Sequence, residues 1–518
     1  MNSFLPSSWK PRDRLSLAII ISLSVVIILI RCLTIEEPLD RDHMIYAVAA
    51  HEILAGRPLY SEIWDIKPPG IYVSYALSQV LLGYNQFSIT CLGIVVAILT
   101  MYGIFRVVWI YTRSQVAALW ASFFWVIVCS DMRLQANQPN CEVFINAGLV
   151  WGLAFFALAY QKNPVPEVVS QKSFTNKHIF IAGTIWAMAT LFKQVALMLP
   201  LLLCAFVFIW PPAGNERRSR WQAAIVLLMP TLVLWAVTFA YFSFTGRASI
   251  FYFTLVEYGR FYAGKGPQYN SLIQNLLPSS LWVLTPLAVL TWIGILASRD
   301  KISRAWGVMA IYAVAIQLAI ALPGQYFQHY YQLWLPFFCI AAGLAISEWK
   351  SRANNIFLVS SCAALSSIGL ICFQWPNWKL TPVDFSIQKY SSTYFASLPS
   401  KAREASALLL TGETFYEYGF DPGFYFETKR HLPVGTLVVG LPTAPLPLWL
   451  QSRIILDLER EKPEMAIVDT QFPASPVLVY LRENYEPISV GSPLKPLRFM
   501  ARRDGKLIRR LQKSERNF

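Results

Sequence analysis

Charge is what this 518-residue sequence has least of: Asp, Glu, Lys and Arg together make up 14%, against about a quarter in soluble domains. Hydrophobic residues make up 55%, more than one compact soluble core can bury, so a bilayer must take the excess. The eight cysteines contain no Cys-x-x-Cys pair and none follows Cys372. That excludes a disulfide-stapled C-terminal region and offers no cysteine metal or redox centre. A Gly-rich phosphate loop is also missing, and with it the usual mark of a nucleotide fold. Acids are the scarcer sign, 30 against 44 Lys and Arg, for a net charge of +14. Basic loops between apolar spans account for such an excess, so no nucleic-acid partner is expected.

What is abundant is apolar runs near twenty residues long, and aromatic residues at 14% that suit interfacial belts. The runs lie near 15–33, 87–110, 115–131, 143–161, 178–192, 195–211, 222–245, 279–298, 304–322, 331–347 and 354–374, about eleven spans. The fifth and sixth are short, as a broken or tilted pair would be. The first, preceded by Lys10, Arg12 and Arg14, reads as a retained signal anchor. The apolar stretch Gly70 to Leu82 reaches only half way across a bilayer. If it does not cross, Arg113, the Lys162/Lys172/Lys177 loop, Arg217/Arg218/Arg220, Arg299/Lys301/Arg304 and Lys350/Arg352 all share the side of the N-terminus, as the positive-inside rule asks. It is therefore expected to be interfacial or re-entrant. The expected localisation is the cell membrane, multi-pass, with the N-terminus cytoplasmic.

Two domains are expected. Residues 1–375 form the transmembrane part, and 376–518, which contain no further span, form a small extracytoplasmic α/β domain. There Leu408–Leu410 before Thr411-Gly412 reads as strand and turn, Ser452–Arg460 as a helix and Ala466–Asp469 as a strand. The tail from Arg502 to Phe518 is basic and expected to fray.

The first outer segment, 34–86, is rich in acid. Asp40 and Asp42 sit just past the first span. Asp42 and Tyr46 share one face of a short helix ending near Gly56. Tyr60 follows, then Asp65-Ile66-Lys67-Pro68-Pro69-Gly70, where two prolines make a stiff corner that presents Lys67. A loop that needed only solubility would have no use for a helix, a rigid corner and a half-span. Further on stand Asn137 and Glu142, Phe192-Lys193-Gln194, and His329-Tyr330-Tyr331 ahead of Pro336. The tail adds Gly412, Tyr416, and Arg430 before Pro433. Lys193 either snorkels or meets an anion; His329 satisfies a loop carbonyl or a phosphate; Glu142 is a helix cap or a second acid. Tyr258, Arg247, Arg260 and Lys265 either cover a headgroup or form an ordinary basic interface.

Taken together these residues resemble the GT-C glycosyltransferases, in particular the family that includes the protein O-mannosyltransferases and the bacterial aminoarabinose transferases of lipid A. The resemblance implies a many-helix fold with interfacial helices in the first loop. It also implies a sugar donor on polyprenyl phosphate and Asp42 as the catalytic carboxylate, with Asp40, Tyr46, Tyr60 and Tyr330 near the substrate. His43 stands where many relatives carry a second acid, and Asp40 adds one two residues earlier, so which carboxylate acts is left open.

The chemistry agrees with that expectation. Displacement at an anomeric carbon needs a base for the acceptor hydroxyl or amine, here Asp42 with help from Glu142. The departing polyprenyl phosphate needs cations or donors, here Lys67, Lys193 and His329. No cofactor is required, and a divalent cation at Asp40-Arg41-Asp42 is left open. The acceptor, whether protein, lipid or glycan, is not readable. The rival readings are a transporter or flippase for a lipid-linked glycan, a non-catalytic scaffold, and a glycan polymerase or ligase using a lipid-diphosphate donor. Acids that avoid span centres and gather in outer loops argue against transport.

Overall fold

A computed structural model describes residues 11–161, 171–211, 217–264, 273–298, 303–353, 355–419, 421–437, 440–441, 444–472, 474–490 and 496–515. Lys162, Lys265, Arg299 and Lys301 lie outside these. Each predicted apolar run falls on a helix. Among the described residues eight helices are long and apolar enough to cross a membrane by length and composition: Arg14–Cys32, Gln86–Thr112, Cys141–Leu158, Ser219–Phe244, Ser279–Ala297, Arg304–Ala321, Gln328–Arg352 and Phe357–Trp378. The protein is thus an integral membrane protein, but the expected eleven spans are not reached on this measure. The helix Gln115–Val128 has 14 residues, about 21 Å at 1.5 Å per residue against a hydrocarbon core of about 30 Å. The helix Gln171–Thr190 opens on polar residues and is parted from Gln194–Ile209 by Lys193, whose backbone is extended at φ −151° and ψ 134°.

The chain divides into two compact units. The first, Met1–Ile35, Thr90–Tyr241 and Lys265–Leu380, is helical. Its helices approach closely where small residues face each other. A methyl group at Gly294 would run into Ala345, and one at Gly152 into Trp186. Arg31, at the last turn of the first helix, is 2% exposed. It donates to the carbonyls of Cys129 (2.7 Å) and Ala136 (2.9 Å), which satisfies a buried cation with dipoles.

The second unit is Glu36–Ile89, Phe242–Gly264 and Thr381–Phe518. Its four-stranded sheet contains β1 (Phe415–Tyr418), β2 (Met465–Asp469), β3 (Tyr485–Pro487) and β4 (Leu497–Arg502), in the order β1-β2-β4-β3. β1 and β2 are parallel, and the other pairings are antiparallel. A parallel pair needs a crossover, which contains the helix Leu448–Glu461. Two expectations are corrected. Leu408–Leu410 is not a strand: it follows the helix Tyr394–Ala407, and the strand begins only after the turn at Gly412, whose φ is +83°. The basic tail does not fray through 515: Lys506–Glu515 is a helix, Leu507 is buried, and Arg510 grips Glu413 through Nη1 (2.7 Å) and Nη2 (2.6 Å).

The three segments of this unit are stitched by backbone bonds. Trp64 N–H donates to Gly435 O (2.9 Å) and Leu437 N–H to Trp64 O (3.3 Å). A side chain at Gly435 would collide with the carbonyl of Glu62. Arg57 joins Glu52 to the Leu432 carbonyl, 2.8 Å each. Arg247 donates to Leu59 O (3.1 Å), and Trp64 Nε1 to Thr254 Oγ1 (2.9 Å). Lys389, on the helix Pro382–Tyr390, pairs with Glu37 at 3.0 Å, and neither side chain has exposed surface. Removing one partner strands a buried charge. Lys389→Met is expected to cost about 3–5 kcal/mol in the denaturant unfolding of the purified full chain. Adding Glu37→Gln should restore most of it; a double variant no more stable than the single would refute the coupling.

Candidate functional site

In the second unit the first loop is ordered from its first acid onward. Asp40 caps the helix Arg41–Leu54, accepting from His43 N–H at 3.2 Å. The same Oδ1 bonds the His43 ring, and Oδ2 accepts from Tyr390 Oη at 2.9 Å. Burial pushes the Asp40 carboxyl up, but the charge and bonds of His43, with Lys389 behind, outweigh it and hold the group well below the usual range. Both oxygens of Asp40 are therefore committed. Asp42, one residue into the helix, is less buried. Gly56 follows the helix at φ +94°, a conformation open to glycine.

Tyr46 is 1% exposed and meets the rings of Tyr72 and Tyr75 edge-on, at 6.2 and 5.6 Å. Tyr60 is buried in a left-handed conformation, φ 67°, and donates its hydroxyl to the Lys67 carbonyl at 2.7 Å. Both tyrosines brace the loop, and Tyr60 fixes the corner that carries Lys67. Asp65 was not among the residues singled out. It is 3% exposed and accepts from the Tyr72 hydroxyl. Burial raises its carboxyl, which also feels Lys67 and Asp42, so both lie within electrostatic reach of Asp65. The half-span is the helix Gly70–Leu82, thirteen residues, about 20 Å and too short to cross. Val73, Leu77, Val80 and Leu81 form its exposed apolar side, as an interfacial helix requires.

In the helical unit, Glu142, Lys193, His329 and Tyr330 are brought together. Glu142 opens the helix Cys141–Leu158 and is 1% exposed. It pairs with the ammonium of Lys193, which sits at the helix break and is 8% exposed. The same ammonium lies 3.9 Å from the centroid of the Tyr330 ring, a cation–π contact. His329 packs edge-on to Tyr330 at 4.8 Å within the turn Gln328–Leu333. Phe144 stacks on Phe192 at 4.6 Å, and Asn146 donates to the Gln332 carbonyl at 3.0 Å. Helix start, helix break and turn are thereby locked to one another.

Among the described residues no three His, Cys, Asp or Glu side chains are grouped to hold a metal. At Asp40-Arg41-Asp42 both Asp40 oxygens already accept hydrogen bonds, Oδ1 from His43 and Oδ2 from Tyr390.

No protein-family model and no curated protein sequence matches the chain. Solved structures do. ArnT from Cupriavidus metallidurans, in a crystal structure bound to undecaprenyl phosphate, superposes with a TM-score of 0.60 over 94% of this chain and 97% of that one, at 14% identity. The oligosaccharyltransferase AglB of Archaeoglobus fulgidus, in complex with an inhibitory peptide and a dolichol-phosphate, gives 0.53 over 89% and 70%, at 13% identity. The chain has the GT-C fold. The family resemblance read from the first loop is thus met at the level of fold.

The two acids of the loop should separate by experiment. Asp40→Ala removes a cap and strands Tyr390, at a cost of about 1–2 kcal/mol, whereas Asp42→Asn, at a less buried position and with the side chain's shape kept, should cost less. Equal losses in denaturant unfolding would contradict the division of labour. Lys193→Met should cost about 3–5 kcal/mol by leaving Glu142 buried without its cation. The same measurement on Lys193→Met/Glu142→Gln should show most of that loss recovered, and no recovery would mean the pair is not what holds the break.

Proposed function

We propose that this chain is a glycosyltransferase that takes one sugar from a polyprenyl-phosphate carrier and transfers it to an acceptor hydroxyl or amine on the extracytoplasmic face of the cell membrane. The reading rests on the first loop, where Asp40 is spent on holding the helix while Asp42, two residues on, is not buried with it. The likeness to ArnT with undecaprenyl phosphate and to AglB with dolichol-phosphate supports the donor class. The orientation follows loop charge: the N-terminus is cytoplasmic and the sheet-bearing unit extracytoplasmic.

In this mechanism Asp42 accepts the acceptor's proton as its oxygen or nitrogen attacks the anomeric carbon. The bond from that carbon to the phosphate oxygen breaks on the opposite face, so configuration inverts. Polyprenyl phosphate departs with the bonding pair, and Lys67, carried on the Tyr60-braced corner, meets the growing charge. Asp65 sets the field around both groups. In the helical unit Lys193 and His329 are assigned to phosphate, and Glu142 holds Lys193 in position. Tyr330 supplies the ring on which that ammonium rests.

Asp42→Asn, expressed beside wild type, should let a polyprenyl-linked sugar accumulate while a cell-envelope glycan loses one residue, both read by mass spectrometry. The loss in rate should be at least about 100-fold, the usual contribution of a positioned base. Unchanged lipids and glycans at normal protein level would remove Asp42 from the mechanism and bring the transport reading forward.

A further inference from the structure

The helical unit has a second basic site, away from Lys193. The helices Gln86–Thr112 and Gln115–Val128 are joined by two residues, Arg113 and Ser114. A cavity of about 630 Å³ opens beside this turn, and its lining includes Trp109, Arg113, Ser114, Ser347, Lys350 and Ser351. Arg113 adopts a left-handed backbone, φ 55°, which is costly for a residue other than glycine or asparagine. Its guanidinium donates to Gln161 Oε1 at 2.7 Å, and Gln161 in turn donates to Ile110 O at 3.2 Å. A neutral amide thus holds the arginine in place without cancelling its charge. Among the described residues neither Arg113 nor Lys350 makes an ion pair. Arg106 adds a third cation: it lies 4.9 Å from the Trp109 ring and Arg113 5.7 Å from it.

The position selects the ligand. The candidate spans Gln86–Thr112 and Gln328–Arg352 both end at this cavity, so it stands where apolar chain gives way to headgroups, and Trp109 is the residue type that favours that level. Gln161 follows the C-terminal end of Cys141–Leu158, whose first turn carries Glu142. The cavity and the Lys193 group are therefore separated by an 18-residue helix, roughly 27 Å at 1.5 Å per residue. We propose that this cavity binds the phosphodiester of an anionic membrane lipid, with Arg113 and Lys350 on the phosphate oxygens and Ser347 and Ser351 within the polar lining for a hydroxylated headgroup. It is a lipid site distinct from the one assigned to the sugar carrier, and its test does not depend on transferase activity.

The test uses the full-length protein in nanodiscs and detergent, with phosphatidylglycerol as probe and phosphatidylcholine and inorganic phosphate as references. Arg113→Asn suits the left-handed backbone, and Lys350→Gln keeps the stem. Bound lipid counted by native mass spectrometry should show phosphatidylglycerol held about 30-fold more weakly by the double variant and about fivefold by Lys350→Gln alone, as one charge each would give. Arg460→Gln, which removes an exposed charge elsewhere, should leave binding unchanged. Equal unfolding midpoints in phosphatidylcholine establish that the variants are folded, and if the double variant is not, Lys350→Gln alone decides. Unchanged phosphatidylglycerol affinity overturns the proposal. Displacement of the lipid by inorganic phosphate would assign the cavity to free phosphate and overturn the lipid assignment.

Discussion

The arrangement of the first loop hangs on two side chains that arrive 350 residues later in the chain. Lys389 neutralises Glu37 in complete burial, and Tyr390 donates to Asp40. Glu37 would not be tolerated there alone, because an unpaired buried carboxylate loses its hydration and gains nothing. With both satisfied, Asp40 is free to cap the helix that begins at Arg41, and the direction of Asp42 is set by that cap. The loop's far end is fixed in the same manner, by Tyr60 on the Lys67 carbonyl and by Trp64 in a ladder with residues 435–437. The acid-rich loop, whose helix, proline corner and half-span already set it apart from a solvated one in sequence, is a rigid shelf built by polar satisfaction.

The helical unit solves a different problem. A chain crossing a bilayer cannot leave backbone groups or ammonium charges without partners in hydrocarbon. The break at Lys193 does leave its helix, yet it is paid for by Glu142, by the Tyr330 ring and by stacking of Phe144 on Phe192.

Much of the fold was legible because its signals are local. Run length placed the helices, Gly56 marked the end of the loop helix, and the brevity of 70–82 marked a half-span. The span count was less legible, since a helix such as Gln115–Val128 is apolar by virtue of burial inside the bundle and apolar composition alone does not separate that from contact with lipid. In the tail, three successive leucines read as a strand, although 405–407 close a helix and Leu409 is buried after it. The basic end read as loose because its ion pair, Arg510 with Glu413, spans 97 residues. Of the candidate site residues, Asp42, Lys67 and Lys193 could be picked out by position relative to spans and prolines. Asp65 carried a signal that was passed over, an acid two residues ahead of Lys67. Lys389 and Tyr390 carried none, since nothing near them in sequence announces a partner 352 and 350 residues away.

That separation also has a price in time. Glu37 emerges from the ribosome 352 residues before Lys389, and synthesis at about 5–20 residues per second puts roughly 20–70 s between them. The segment 36–89 cannot reach its final form while most of the chain is being inserted, and its acids must stay hydrated until the last quarter of the polypeptide is delivered to the same side. Maturation of the loop is therefore post-insertional, and a protein truncated before residue 389 would hold its helices without ever assembling the shelf that carries Asp42.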